Sequence, residues 1–241
     1  MKKCLVIATV AEGGVYNDWS FPPDQAFSSS VFDLIRVNFN PDGFSRKNVK
    51  DSYSEKWYHE DVGFKHHIYK RLIQQRDLLD TYDWIWMPDY DVQLEQGEIE
   101  RMFGIAQEYN LNICQPSLTR DSYHSFPLVL NDPTKFMRYT NYVEIMCPLF
   151  KSEALKKVLW TFTITYSGWA QDFLWARELN YERLAIIDDI QARHIKPVES
   201  QYWKLPNGMN ADQELESVVT LFALEKEKFW PREIGGIEKW I

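Results

Sequence analysis

The chain has no surplus of basic charge: 27 Lys and Arg stand against 35 Asp and Glu, a formal net charge of −8. Binding a phosphate backbone needs a basic face, so nucleic acid is excluded as a partner. A small phosphorylated ligand is not excluded, because a bound cation can offset its charge. Cysteine is scarce. Cys4, Cys114 and Cys147 are an odd number at wide spacings, each in an apolar run, which fits neither a disulfide framework nor a zinc site. They read as reduced core thiols of a cytoplasmic protein. No apolar run reaches the roughly 18 residues a membrane-spanning helix requires. The start, MKKCLVIATVAEGG, holds a short apolar stretch ending in Glu12-Gly13-Gly14 where a cleavage site would stand, so no signal peptide is expected. Internal repeats and low-complexity linkers are also missing, and residues 1–241 are expected to form one domain.

Aromatic residues, by contrast, are abundant at 15%, with ten Trp, within an ordinary hydrophobic fraction of 45%. Trp and Tyr combine large flat faces with a polar edge, so they serve packing first and stacking on sugar rings or bases second.

CLVIATVA reads as a buried strand, apolar and β-branched between charged and Gly-containing ends. VFDLIRVNF (Val31 to Phe39) reads as a second, ended by Asn40-Pro41-Asp42-Gly43. Residues 44–64 lack periodicity and are expected to be a loop. FKHHIYKRLIQQRDLLD places Phe64, Ile68, Leu72 and Leu79 at helical spacing, and YDWIWM follows as a third strand. Gly97 to Tyr109 is expected to be an amphipathic helix, NICQPSLT a strand, 121–141 a loop and VEIMCPLF a strand. SEALKKVLWTF is expected to be a helix capped by Ser152, Trp169 to Leu179 another helix, and LAIIDDIQARH the last strand. The tail from about Gln201 holds one acidic helix and an aromatic end, KFWPREIGGIEKWI. That end suits packing back on the domain, with peripheral docking at a membrane as the alternative. Strands alternating with helices predict an α/β fold: a Rossmann-like, mostly parallel open sheet with helices on both faces. Ligands of such sheets bind beyond the carboxyl ends of the strands.

MPDYDVQLE places Asp89 and Asp91 at such an edge, directly after an apolar strand. Hard cations such as Mn²⁺ or Mg²⁺ choose carboxylate oxygens and share them with substrate phosphates. A solvated turn is the competing reading. In SGWAQDFLWARELN, Asp172 falls in the first turn of a helix, where it favours the helix dipole or serves as general base for an acceptor hydroxyl. Trp169 beside it could stack on a sugar. His194 ends the LAIIDDIQARH strand, where an imidazole can complete a metal site or simply cap the strand. Asp188 and Asp189, inside that pattern, read as structural. Lys65 starts the helix before the D-x-D strand, as a phosphate contact or a solvated residue.

Several blocks, taken in order, resemble glycosyltransferases of the GT-A (nucleotide-diphospho-sugar transferase) fold in a largely uncharacterised domain family. They are YDWIWMPDYDVQLEQGEIERMFGIAQEYNLNICQPSLT, YTNYVEIMCPLFKSEALKKVLWTF, SGWAQDFLWARELN and LAIIDDIQARHIKPV, covering most of residues 64–198. The ordered series is more specific than any one motif. The resemblance implies a divalent metal, Mn²⁺ or Mg²⁺, held by Asp89, Asp91 and His194 on the diphosphate of a nucleotide-sugar donor. It implies Asp172 as the base that deprotonates a glycan or lipid-linked saccharide acceptor, with inversion, and Glu144 and Trp169 on the acceptor side. Thr9, Ala11, Glu12, Asn38 and Lys65 would border the nucleotide, together with Asp89. Two departures stand out: Tyr90 interrupts a run where related sequences often carry three acids, and Ala170-Gln171 replaces a segment with a second Gly. A catalytically silent carbohydrate-binding protein on the same fold is the alternative function. A nucleotidyltransferase ranks third, since Glu12-Gly13-Gly14 only faintly echoes a phosphate loop.

Overall fold

The computed structural model describes residues 4–16, 29–44, 57–198 and 204–239. Most of the 44–64 stretch, and the last two residues of the aromatic tail, lie outside the described residues.

β1 (Cys4–Val10) is buried at every position and pairs in parallel with β2 (Phe32–Asn38) on one side and β4 (Trp84–Trp86) on the other. A strand covered on both faces needs apolar side chains throughout, which is why CLVIATV shows no alternation. β3 (Tyr58–Glu60) extends this parallel set beyond β2. β6 (Ile113–Leu118) and β9 (Leu184–His194) run parallel to each other further along the sheet. Between the two sets lies β8 (Leu149–Lys151), antiparallel to both β4 and β6. β7 (Lys135–Thr140) and β10 (Glu233–Glu238) complete the far edge, giving the order β10-β7-β9-β6-β8-β4-β1-β2-β3. A short ladder, β5 (Val92–Gln93), pairs antiparallel with the end of β9. The architecture is therefore the expected α/β one, with a largely parallel central sheet.

Helices cover both faces. α1 (Lys65–Gln75) packs Ile68, Tyr69, Leu72 and Ile73 against one side, together with α2 (Leu78–Thr81) and α4 (Ser152–Val158). α3 (Gln96–Glu108) lays Ile99, Met102, Phe103 and Ala106 on the other. Each fully buried side chain of this size stabilises by about 1.5–3 kcal/mol, so the two cores, not helix propensity, hold these elements in place. α5 (Gln171–Glu178) divides its residues between the cores, with Leu174 in one and Trp175 in the other. α6 (Ala211–Leu221) and α7 (Lys226–Phe229) belong to the tail, which packs back on the domain through β10 on β7. No helix among the described residues is long and apolar enough to cross a membrane.

Five local expectations need correction. The 44–64 stretch is not all loop: Tyr58–Glu60 forms β3, which is a strand because β2 lies beside it. The 121–141 segment is not all loop: Lys135–Thr140 forms β7, whose neighbours β9 and β10 are distant in sequence. Of VEIMCPLF only Leu149 and Phe150 are strand; residues 143–148 are irregular yet mostly buried, and periodicity does not separate a buried coil from a buried strand. Ser152 is the first residue inside α4, and its hydroxyl donates to the Tyr82 carbonyl instead of capping. LAIIDDIQARH is not the last strand, since β10 follows it.

Candidate functional site

A cleft of about 430 Å³ opens at the carboxyl ends of the parallel strands, lined by Thr9 of β1, the Asp89–Asp91 turn after β4 and His194 at the end of β9. Backbone pairing builds its floor. The Asp89 N–H donates to the Met146 carbonyl at 2.7 Å, fastening the turn to the irregular 143–148 segment. The β5–β9 ladder sets Val92 opposite His194, and the Ile195 N–H donates to the Asp91 carbonyl at 3.1 Å. Asp91 and His194 are thereby brought face to face, Oδ2 to Nε2 at 3.4 Å, both nearly buried. The other ring nitrogen of His194, Nδ1, lies 2.9 Å from the Tyr123 carbonyl and so carries the proton. Burial alone would lower the His194 pKa, but Asp91 and the Tyr123 carbonyl outweigh it and hold it above its ordinary value.

Asp89 has a different partner. Lys65, first residue of α1, places its ammonium on Asp89 Oδ1 and also donates to the Ile145 carbonyl at 3.2 Å. Burial and the neighbouring Asp91 push the Asp89 carboxyl upward while Lys65 pulls it down; the net direction is up. The first turn of α1 carries no acidic residue and no side-chain cap among the described residues, and Phe64, Lys65 and His66 all line the cleft, so helical N–H groups without an intrahelical partner border it. Lys196 adds a second cation, 4.5 Å above the Tyr90 ring and 3.2 Å from the Glu12 carbonyl.

Glu144 also lines the cleft and is 1% exposed. The Ser125 N–H donates to its Oε1 at 3.1 Å, whereas Oε2 is buried with no hydrogen-bond partner among the described residues. Burial raises its pKa, opposed by the Ser125 hydrogen bonds and by His194 and His124. Asp172 stands apart from the cleft wall. Its Oδ2 accepts from the Tyr142 hydroxyl at 2.9 Å and its Oδ1 from the Phe173 N–H at 2.9 Å. Burial pushes its carboxyl up to about 7 despite the Tyr142 hydrogen bond, with Glu144 adding to the rise.

An aromatic wall closes one side. The Phe64 and Tyr166 rings lie 5.1 Å apart, and Trp169 lines the cleft with them. Gly168, at φ +85°, lets the chain pass over His66: a Cβ there would come within 2.8 Å of the imidazole Nδ1. Glu214 of α6 fixes the loop. It accepts from the Tyr166 N–H at 3.0 Å, the Ser167 N–H at 2.9 Å, the Ser167 hydroxyl at 2.7 Å and the Asn207 amide at 2.7 Å.

The structure thus gathers Asp89, Asp91, His194, Lys65, Thr9, Glu144 and Trp169 around one cleft. Ala11 and Glu12 form the turn after β1 without lining it. Asn38 is fully buried, its amide donating to the Phe44 carbonyl at 2.7 Å and its Oδ1 accepting from the Asn40 N–H at 3.2 Å, so its side chain shapes the loop after β2. Sequence reasoning missed Lys196, Tyr166, Ser167 and Glu214. The Lys196 position, two residues after His194, was available as a signal; Glu214 had none, because it reaches Tyr166 from 48 residues away.

No group of three His, Cys, Asp or Glu among the described residues is arranged to hold a metal ion. Asp91 and His194 make a pair, and the Lys65 ammonium sits on Asp89. A pair suits a cation that takes its remaining ligands from phosphates and water, the common mode for Mg²⁺ and Mn²⁺.

No protein-family model and no curated protein sequence matches the chain. Solved structures do. The chain is similar in fold to residues 1–349 of S. aureus TarS, at 13% identity and a TM-score of 0.51, over 94% of this chain and 73% of that one. The same TarS fragment in complex with UDP matches at 12% identity and a TM-score of 0.50, over the same shares. At such identity the likeness shows a shared fold alone: a mixed α/β architecture with a largely parallel central sheet flanked by helices.

Proposed function

We propose that the protein is a metal-dependent glycosyltransferase that moves a sugar from a nucleoside-diphosphate donor to a hydroxyl of a glycan or lipid-linked saccharide, with inversion. The observation that carries this reading is the Asp91–His194 pair, at 3.4 Å, in a cleft that also presents Lys65, Lys196 and the uncapped first turn of α1. That combination suits a diphosphate: cations and helical N–H groups for its oxygens, and a carboxylate–imidazole pair for the metal ion it brings. Asp91 and His194 would hold Mn²⁺ or Mg²⁺, which when bound offsets charge on the departing diphosphate. Asp89 orients Lys65. Thr9 borders the nucleotide, and Trp169, with Tyr166 and Phe64, offers stacking faces for saccharide rings.

Calorimetric titration of UDP and GDP, with and without Mn²⁺, tests the reading. UDP comes first because TarS has been solved with it. Binding that needs the metal and is lost in Asp91→Asn is expected; no binding of either nucleotide under any metal condition would sink the proposal. The aromatic wall favours one other reading, a catalytically silent carbohydrate-binding protein. Such a protein would bind saccharides without metal, lose that binding in Trp169→Ala and be indifferent to Asp89→Ala.

A further inference from the structure

We propose that Glu144 is the proton acceptor of the transfer, its Oε2 receiving the proton of the attacking hydroxyl; the assignment rests on the glycosyltransferase reading above. Among the described residues, Asp89, Asp91 and Glu144 line the cleft and Asp172 lies behind its wall, and three of these four acids are occupied. Asp89 holds the Lys65 ammonium, and Asp91 faces the His194 imidazole. Asp172 has one oxygen on the Tyr142 hydroxyl and the other on its own helix, and it is not part of the cleft wall. Glu144 differs on each count: it lines the cleft, and one of its oxygens is buried without a donor among the described residues.

Its surroundings hold that oxygen in place. The Glu144 N–H donates to Gln115 Oε1 at 2.6 Å, tying the irregular segment to β6, and the Ser125 N–H occupies Oε1. A carboxylate oxygen kept out of water with nothing donating to it is costly, and the cost is relieved when a ligand hydroxyl supplies the missing hydrogen bond. The same hydrogen bond aligns a proton for transfer. As the acceptor oxygen forms its bond to the anomeric carbon, the bond from that carbon to the diphosphate oxygen breaks, and its electron pair stays on the diphosphate. The hydroxyl proton passes to Glu144 Oε2, which keeps it until the products leave and water enters the cleft to take it. Asp172 supports from behind, holding Tyr142 two residues before Glu144.

Hydrolysis of UDP-glucose and UDP-N-acetylglucosamine with Mn²⁺, where water serves as acceptor, separates the two acids when read beside UDP calorimetry. Glu144→Gln should bind UDP as the unaltered protein does and release sugar at least about 100-fold more slowly. Asp172→Asn should lose less than about tenfold. Unchanged release in Glu144→Gln, or arrest by Asp172→Asn alone, overturns the assignment; absence of UDP binding in the unaltered protein overturns the transferase reading instead. If the unaltered protein hydrolyses neither sugar nucleotide, a crystal structure soaked in glycerol decides. A glycerol hydroxyl or ordered water on Glu144 Oε2 is expected, and a protein donor on that oxygen would refute the proposal.

Discussion

His194 and Asp91 stand 3.4 Å apart, Nε2 to Oδ2, because the β5–β9 ladder pairs Val92 with His194 and so delivers its neighbour Asp91 to the imidazole. The Tyr123 carbonyl, 2.9 Å from Nδ1, sets the ring's orientation from the other side. If this pair holds a cation on a diphosphate, His194→Ala should weaken Mn²⁺-dependent UDP binding by at least about 10–100-fold, the range for losing a group that only orients a metal ligand. Binding without metal should stay the same. Calorimetry on the variant checks it, and equal loss with and without Mn²⁺ would contradict a metal role for the imidazole.

Glu214 clamps the 166–169 loop from a helix of the tail, with each oxygen accepting at least one backbone N–H. Glu214→Ala leaves those donors without partners, at a cost of about 1–3 kcal/mol in urea denaturation. Amide exchange at Tyr166 and Ser167 should accelerate while β1 stays protected. Unchanged protection at both amides would show that the loop holds itself.

Asp172 makes stability depend on pH. Its folded-state pKa, about 7, lies above the usual carboxylate value, so the folded chain keeps a proton that the unfolded chain has released. The associated stability is fully present below about pH 4 and is lost as pH climbs towards 7, by at most about 4 kcal/mol. Asp172→Asn should flatten this fall between pH 5 and pH 7.5. An identical slope in variant and unaltered protein would place the titration elsewhere.

The acidic pair inside β9 is structural. Pro116 cannot donate to the ladder, and the β6–β9 register shifts directly after it, so Asp188 leaves the ladder. Asp188 then meets Arg138 at 2.8 Å, both side chains buried. Asp188→Ala leaves the buried guanidinium charge unpaired, with only the Leu128 and Leu130 carbonyls among the described residues to accept from it, and should cost about 3–5 kcal/mol, whereas replacing both partners by apolar residues should cost much less. Denaturation of the single and double variants distinguishes the two, and a mild single loss would mean that water reaches Arg138.

The strongest elements were legible because they obey local rules. β1 reads as a strand from seven consecutive buried apolar or β-branched positions, and α1 and α3 from their helical spacing. The local pattern does not show β7 and β10, because EIGGIE carries two glycines and KFMRYT mixes charges with apolar residues; β7 is a strand because β9 and β10 flank it, and β10 because β7 lies beside it. Residues 143–148 were read as strand from their apolar character, although what that segment does is carry Glu144 to the cleft.

By itself the sequence determined which faces are apolar, where the chain alternates between strand and helix, and that Asp89 and Asp91 follow a buried strand at a sheet edge. These follow from side-chain size, polarity and spacing over a few residues. Tertiary structure alone decided that His194 meets Asp91, that Lys65 takes Asp89, that Asp172 is closed off by Tyr142 and that Glu144 keeps an oxygen without a donor among the described residues. Those outcomes depend on strand pairing and burial between residues far apart in the chain, where no local propensity reaches.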